Sequence, residues 1–230
     1  MAPNMVDGPV PGEAEEVLEP ENLGKNAPII EAMLDIRVQP QAATHIDDLR
    51  PLVDRFKERG YGAKTQSAFS GEFKFDPSGV SAETKDLGAQ RFSVHSEEEA
   101  HAVQFEPTGF SFSKLPPYES WEDLLTSAMR YWEEYASLTK PERVVRCALR
   151  YINRFEFSED SIDLEHWFRT RPTVGAGSKP ILKYFEMKAL VEVDEGEALI
   201  GFRSGKSDGG ELVIILDIDV PAMVNLDPFG

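Results

Sequence analysis

The chain holds one cysteine in 230 residues, Cys147. That excludes an internal disulfide and any zinc site built on cysteine pairs. No apolar run approaches the ~20 residues that span a bilayer as a helix. The N-terminus lacks a basic region leading into an apolar one, so no secretory signal is expected, and the cytoplasm is the expected compartment. Cations are scarce: 24 Lys and Arg face 41 Asp and Glu, a formal net charge of −17. Non-specific nucleic-acid binding rests on phosphate neutralisation, so this balance disfavours it, although one local basic face would be compatible with it. No phosphate loop, nucleophile elbow, HExxH or EF-hand pattern occurs, and no cofactor is implied. Val174-Gly175-Ala176-Gly177 is a lone GxG in a glycine-rich stretch, Thr173 to Pro180, and reads as a loop.

Apolar residues make up 41% of the chain, enough for a proper core. They are not spread evenly. Residues 1–25 carry Asp7, Glu13, Glu15, Glu16, Glu19 and Glu21 among four prolines, with little to bury, and predict a disordered acidic tail. Residues 26–230 are expected to form a single domain. Ile30, Ala32, Leu34, Ile36 and Val38 alternate with Glu31, Met33, Asp35 and Arg37, as in a half-buried strand. A helix is expected over 44–59, capped by Thr44 and stopped by Gly60; Pro51 within it predicts a kink or a later start. Strands over 68–75 and 90–95 are separated by a polar stretch that reads as a loop. His101–Phe105 and Gly109–Ser113 flank Pro107-Thr108-Gly109 as a tight hairpin.

After the Lys114-Leu115-Pro116-Pro117 corner, Ser120 and Asp123 form a capping pair for a helix over 119–136. Trp121 and Trp132 lie eleven residues apart, close to one helical azimuth, and are both expected to face the sheet. A long strand over 144–157 follows, then a short helix over 161–169 with Leu164, Trp167 and Phe168 inward. Strands over 183–193, 197–203 and 211–220 come last, separated by Asp194-Glu195-Gly196 and Asp208-Gly209-Gly210. Antiparallel groups without βαβ alternation imply an α+β fold, with the helices packed on one face of an antiparallel sheet. The two halves share a loose strand–helix–strands rhythm.

Three segments carry a resemblance: Asn26-Ala27-Pro28-Ile29-Ile30-Glu31-Ala32, the block from Gly109 to Trp121 (GFSFSKLPPYESW), and Arg150-Tyr151-Ile152-Asn153-Arg154. Together they resemble a sporadically distributed, functionally uncharacterised family of bacterial proteins of about this size. The resemblance implies the α+β class, a bacterial origin and a further helical C-terminal segment. It carries no activity and no catalytic residue.

For chemistry, the strand over 144–157 offers the best lead. Val145, Cys147, Leu149, Tyr151, Phe155 and Phe157 fall on one face; Arg146, Ala148, Arg150, Ile152, Arg154 and Glu156 fall on the other. Arg146, Arg150 and Arg154 thus form a row of planar forks suited to carboxylate or phosphate, a candidate ligand-binding face. The plainer reading is cross-strand pairing with Glu186, Glu192, Asp217 or Asp219. Cys147 reads as apolar filler. His95, His101 and the intervening Glu97-Glu98-Glu99 suggest metal ligands less readily than a solvated turn. The pairs Asp217/Asp219 and Glu31/Asp35 could act as acid–base carboxylates, but no motif places a nucleophile or base beside them. The sequence therefore points to a non-enzymatic binding module for a protein partner or a small anionic ligand. The alternative is an enzyme with a carboxylate or histidine site on the sheet face.

Overall fold

A computed structural model describes residues 27–229, apart from 77–78, 97, 99, 159–161, 163, 169–183 and 194–195; for 68–86 and 165 it describes the backbone alone. The acidic tail, the Thr173–Pro180 loop with its GxG, and the Glu97 and Glu99 positions lie outside the described residues.

The first strand, β1 (Ile29–Pro40), buries Ala32, Leu34, Ile36 and Val38 as its alternation requires. A register shift between Ile29 and Glu31 makes Ile30 the extra residue, so Ile29 enters the core and Ile30 is only half-buried. A 3₁₀ turn (Ile46–Leu49) leads into α1 (Arg50–Glu58), with Pro51 in its first turn, where a missing N–H costs nothing. The start is therefore later than Thr44. Asp48 Oδ2 accepts from the His45 amide, while Thr44 turns back to the Ala42 carbonyl.

Two long strands follow, β2 (Gly62–Asp76) and β3 (Gly79–Ser96), paired along nearly their whole length. The polar stretch expected to be a loop is thus part of a ribbon. Glycine, serine and charge do not break a ladder that satisfies every backbone group on one side. The tight hairpin of β4 (His101–Glu106) and β5 (Gly109–Lys114) is as the turn residues predict. Then come α2 (Trp121–Thr139), whose Ser120 Oγ accepts from the Asp123 amide, and β6 (Pro141–Phe157). The short α3 (Leu164–Phe168) precedes β7 (Glu186–Val193), β8 (Gly196–Lys206) and β9 (Leu212–Leu226).

All nine described strands join one antiparallel sheet in the order β2-β3-β4-β5-β1-β6-β9-β8-β7. In each half a leading strand is followed by a helix-bearing connection and a meander. The last strand of the meander returns to pair with the leading one: β5 with β1, and β9 with β6. Strands β1 and β6 join the halves.

Helices α1 and α2 cover one face. Leu49, Leu52, Val53 and Phe56 meet Leu124, Ala128, Tyr131, Trp132 and Tyr135 over Phe92, Val94, Val103, Phe105, Phe110 and Phe112. Ring contacts are dense there; Phe112 and Tyr131 stack with centroids 5.5 Å apart. Tyr135 donates to the Glu106 carbonyl, and Trp132 Nε1 to that of Pro228. Trp121 does not share this burial: it is 38% exposed, against 3% for Trp132. Trp121 lies at the first residue of α2, where the core face has already run out. Trp167 is likewise exposed rather than inward, although Phe168 packs on Phe155 and Phe202.

Candidate functional site

No described helix covers the other face of the sheet. Strand pairing assigns it Glu31, Met33, Asp35 and Arg37 from β1, and Arg146, Ala148, Arg150, Ile152 and Arg154 from β6. Ser111 and Ser113 of β5, Gln104 and Glu106 of β4, and Asp217, Asp219 and Met223 of β9 lie beside them. One residue of the expected β6 pattern is displaced. A bulge at Val145 puts Val144 in the core, and the Cys147, Leu149, Tyr151 row resumes after it.

The charges on this face are joined. Asp35, only 9% exposed, lies at the centre. Its Oδ1 accepts from Arg37 Nε (3.0 Å) and Arg146 Nη1 (2.7 Å). Its Oδ2 accepts from Arg37 Nη2 (2.8 Å) and Ser111 Oγ (2.7 Å). Arg37 reaches past β5 to Glu106, and Glu106 is also held by Arg91. Arg146 lies 3.9 Å from Asp219. Arg91, Glu106, Arg37, Asp35, Arg146 and Asp219 therefore alternate in sign across β3, β4, β1, β6 and β9. Beside this ladder, Arg150 forms a bidentate pair with Asp217, at 2.7 Å and 2.6 Å.

Gly109 makes the ladder possible. A Cβ there would stand 2.7 Å from Arg37 Nη1 and 2.9 Å from its Cδ. The bare backbone of β5 is what lets the guanidinium cross to Glu106.

The electrostatics follow the pairing. The Asp217 carboxylate holds the Arg150 guanidinium above its usual value, and burial only partly offsets this. Burial works to lower the Arg37 value, but its hydrogen bonds to Asp35 and Glu106 and their negative charges outweigh it and the net shift is upward. Both cations are locked in the charged state.

The three arginines of the row are thus brought to one face and each meets a carboxylate: Asp35, Asp217 and, for Arg154, Glu156 two residues along at 2.7 Å. Among the partners named from sequence, Asp217 is correct and Asp219 is marginal. Glu186 and Glu192 lie on β7, three strands from β6. Sequence reasoning missed Asp35 as the hub, along with Arg37, Glu106 and Arg91. Asp35 and Arg37 sharing a face was the available signal.

The carboxylate pairs do not converge. Asp217 and Asp219 go to different arginines, and Asp35 is fully engaged without Glu31. His95 and His101 occupy opposite faces of the sheet. His95 lies over Gly62, and His101 is buried near Tyr61 and Tyr131. No group of three or more potential ligands suited to a metal occurs among the described residues. Cys147 packs against the core, and burial, followed by the Asp35 charge, pushes its thiol up. At the β3 end of the ladder lies an open depression of about 530 Å3, lined by Gln66, Ser67, Gln90, Arg91, Glu106, Pro107 and Thr108. No described helix is long and apolar enough to cross a membrane.

Comparison with protein-family models finds no match, and comparison with curated proteins finds none either.

Proposed function

We propose that the chain is a non-enzymatic binding module of the bacterial cytoplasm, and that the sheet face that no described helix covers, called the open face below, docks a protein partner. One observation carries this reading: the arginine forks of the face are already closed by carboxylates of the same face. A free small anion would have to displace them. A protein surface of mixed charge can instead meet an alternating pattern that is fixed in advance, so little ordering entropy is lost on docking. Exposed Met223, opposite Arg146 in the pairing of β6 and β9, supplies apolar contact within the charges. The matching strand order of the two halves supports reading them as variants of one strand–helix–meander unit, with the ladder across their junction.

The test is a partner identified by capture and then titrated in pure form. Binding should be lost on Met223→Asp and kept on Arg130→Glu, which alters the helix side. A panel of phosphate and small carboxylates should raise the melting temperature no more than matched sodium chloride. An anion whose stabilising effect disappears in Arg150→Lys would overturn the reading in favour of an anion site.

A further inference from the structure

Among the described residues no strand pairs beyond β2 or β7, so β7 is an edge strand of the sheet. Edge strands are commonly guarded by proline, a bulge or extreme shortness. Strand β7 has none of these, and its only guard of the common kinds among the described residues is charge, at Glu186, Lys188 and Glu192. Its eight residues, EMKALVEV, pair with β8 in unbroken register from Glu186 to Val193. Three of its exposed residues are apolar, interleaved with the charged Glu186, Lys188 and Glu192. Leu190 is 63% exposed and Val193 43% exposed, Met187 is exposed, and so is Leu199, the direct cross-strand neighbour of Leu190.

Backbone direction follows from one hydrogen bond. The Ser204 amide donates to the Phe185 carbonyl. Alternation along an antiparallel ladder then turns the odd-numbered residues of β7 toward β8. The N–H and C=O of Glu186, Lys188, Leu190 and Glu192 point outward.

We propose that this edge pairs with the same edge of a second copy, forming a two-fold dimer. A two-fold axis perpendicular to the sheet makes the two β7 strands antiparallel and keeps like faces on the same side. Centred on Leu190, the register places Leu190 against its own copy, Met187 against Val193, and Ala189 against Val191. Lys188 then stands opposite Glu192, and by symmetry this occurs twice. The outward-pointing residues are the ones that fall opposite one another, so their backbone groups bond across the axis. Moving the centre to Ala189 would set Glu186 against Glu192 twice, and moving it to Val191 would pair fewer residues. Unlike charges directly opposite stabilise a strand pair and like charges destabilise it, so one register is selected. Charge complementarity and self-matched apolar positions identify the occupant as another copy of this chain. The dimer would carry both open faces on one side of a continuous sheet and so present the proposed docking surface twice. Dimerisation itself does not depend on that function.

The experiment is sedimentation equilibrium from low to high micromolar concentration. The parent should approach twice its 25.7 kDa chain mass. Lys188→Glu and Glu192→Lys should each weaken the dimer about tenfold, because each sets like charges opposite twice. Mixed in equal amounts, the two variants should associate about as tightly as the parent, since each then offers the charge that the other lacks. Recovery on mixing also shows that both variants are folded. A parent that stays monomeric throughout would overturn the proposal. So would single variants that dimerise like the parent, or variants that fail to recover when mixed.

Discussion

Replacing Asp35 by Asn keeps the side-chain shape and exchanges one acceptor oxygen for a donor NH2. Four donors converge on the two oxygens of Asp35: Arg37 Nε and Nη2, Arg146 Nη1 and Ser111 Oγ. Whichever way the amide is turned, its NH2 must point at two of them. Removing one partner of a fully buried ion pair costs about 3–5 kcal/mol. Here the arginine side chains retain 30% and 28% of their exposure, so water can reach part of each guanidinium. Discounted for that, the expected loss is about 2–3 kcal/mol. Asp35→Ala should cost no more than Asp35→Asn, because a vacated site admits water where the amide presents a mismatched donor. Urea unfolding followed by tryptophan fluorescence gives both values, provided the slope is unchanged. An Asn variant within about 0.5 kcal/mol of the parent, the range of an ordinary surface substitution, would refute the view of Asp35 as a hub.

Gly109→Ala should cost about 1–2 kcal/mol by displacing Arg37 from Glu106, and much less in an Arg37→Ala background; equal costs in both backgrounds would detach Gly109 from the ladder. Arg150→Lys should destabilise nearly as much as Arg150→Ala, by about 1 kcal/mol, because lysine lacks the bidentate fork; a lysine variant that unfolds like the parent would show that charge alone suffices. Trp132→Ala should lose about 3–5 kcal/mol, whereas exposed Trp121→Ala should stay within about 1 kcal/mol; equal losses, measured by urea unfolding, would put Trp121 back in the core. Since burial raises the Cys147 thiol, its thiolate fraction at pH 8 is depressed. Its reaction with a disulfide reagent should then be slower in the folded chain than in urea, and equal rates would contradict the burial.

Some of the fold could be read from local rules, because local chemistry alone decided it. The hairpin at Pro107-Thr108-Gly109, the Ser120 cap and the delayed start of α1 at Pro51 need only a few neighbouring residues. Misreadings occurred where a nonlocal partner decides. The ribbon of β2 and β3 is polar enough to pass for a loop, and its strand character comes from mutual pairing rather than from side-chain pattern. Trp121 has the right azimuth but stands at the end of its helix, and periodicity carries no information about where a core stops.

The open face shows the same division at the level of individual charges. Alternation along β6 placed Arg146, Arg150 and Arg154 on one side, since a period of two needs nothing beyond the strand itself. Naming their partners requires register, and register depends on the bulges at Ile30 and Val145, each of which offsets the ladder by one residue. A one-residue error sends every pairing to the opposite face. Asp35 and Arg146 are 111 positions apart in the chain, and only the pairing of Asp35 with Ala148 and of Arg37 with Arg146 brings them within hydrogen-bond reach. Glycine 109 is harder still to anticipate. In the sequence it reads as the end of a turn, yet its second role is to leave room for a side chain on the neighbouring strand. Read alone, the arginine row therefore admitted both an anion-binding face and, more plainly, cross-strand pairing with carboxylates that could not yet be named. Once the register is known, the same residues are half of an alternating set of charges, each arginine paired with Asp35, Asp217 or Glu156, and this pairing is the ground on which a protein partner is proposed above in place of a free anion.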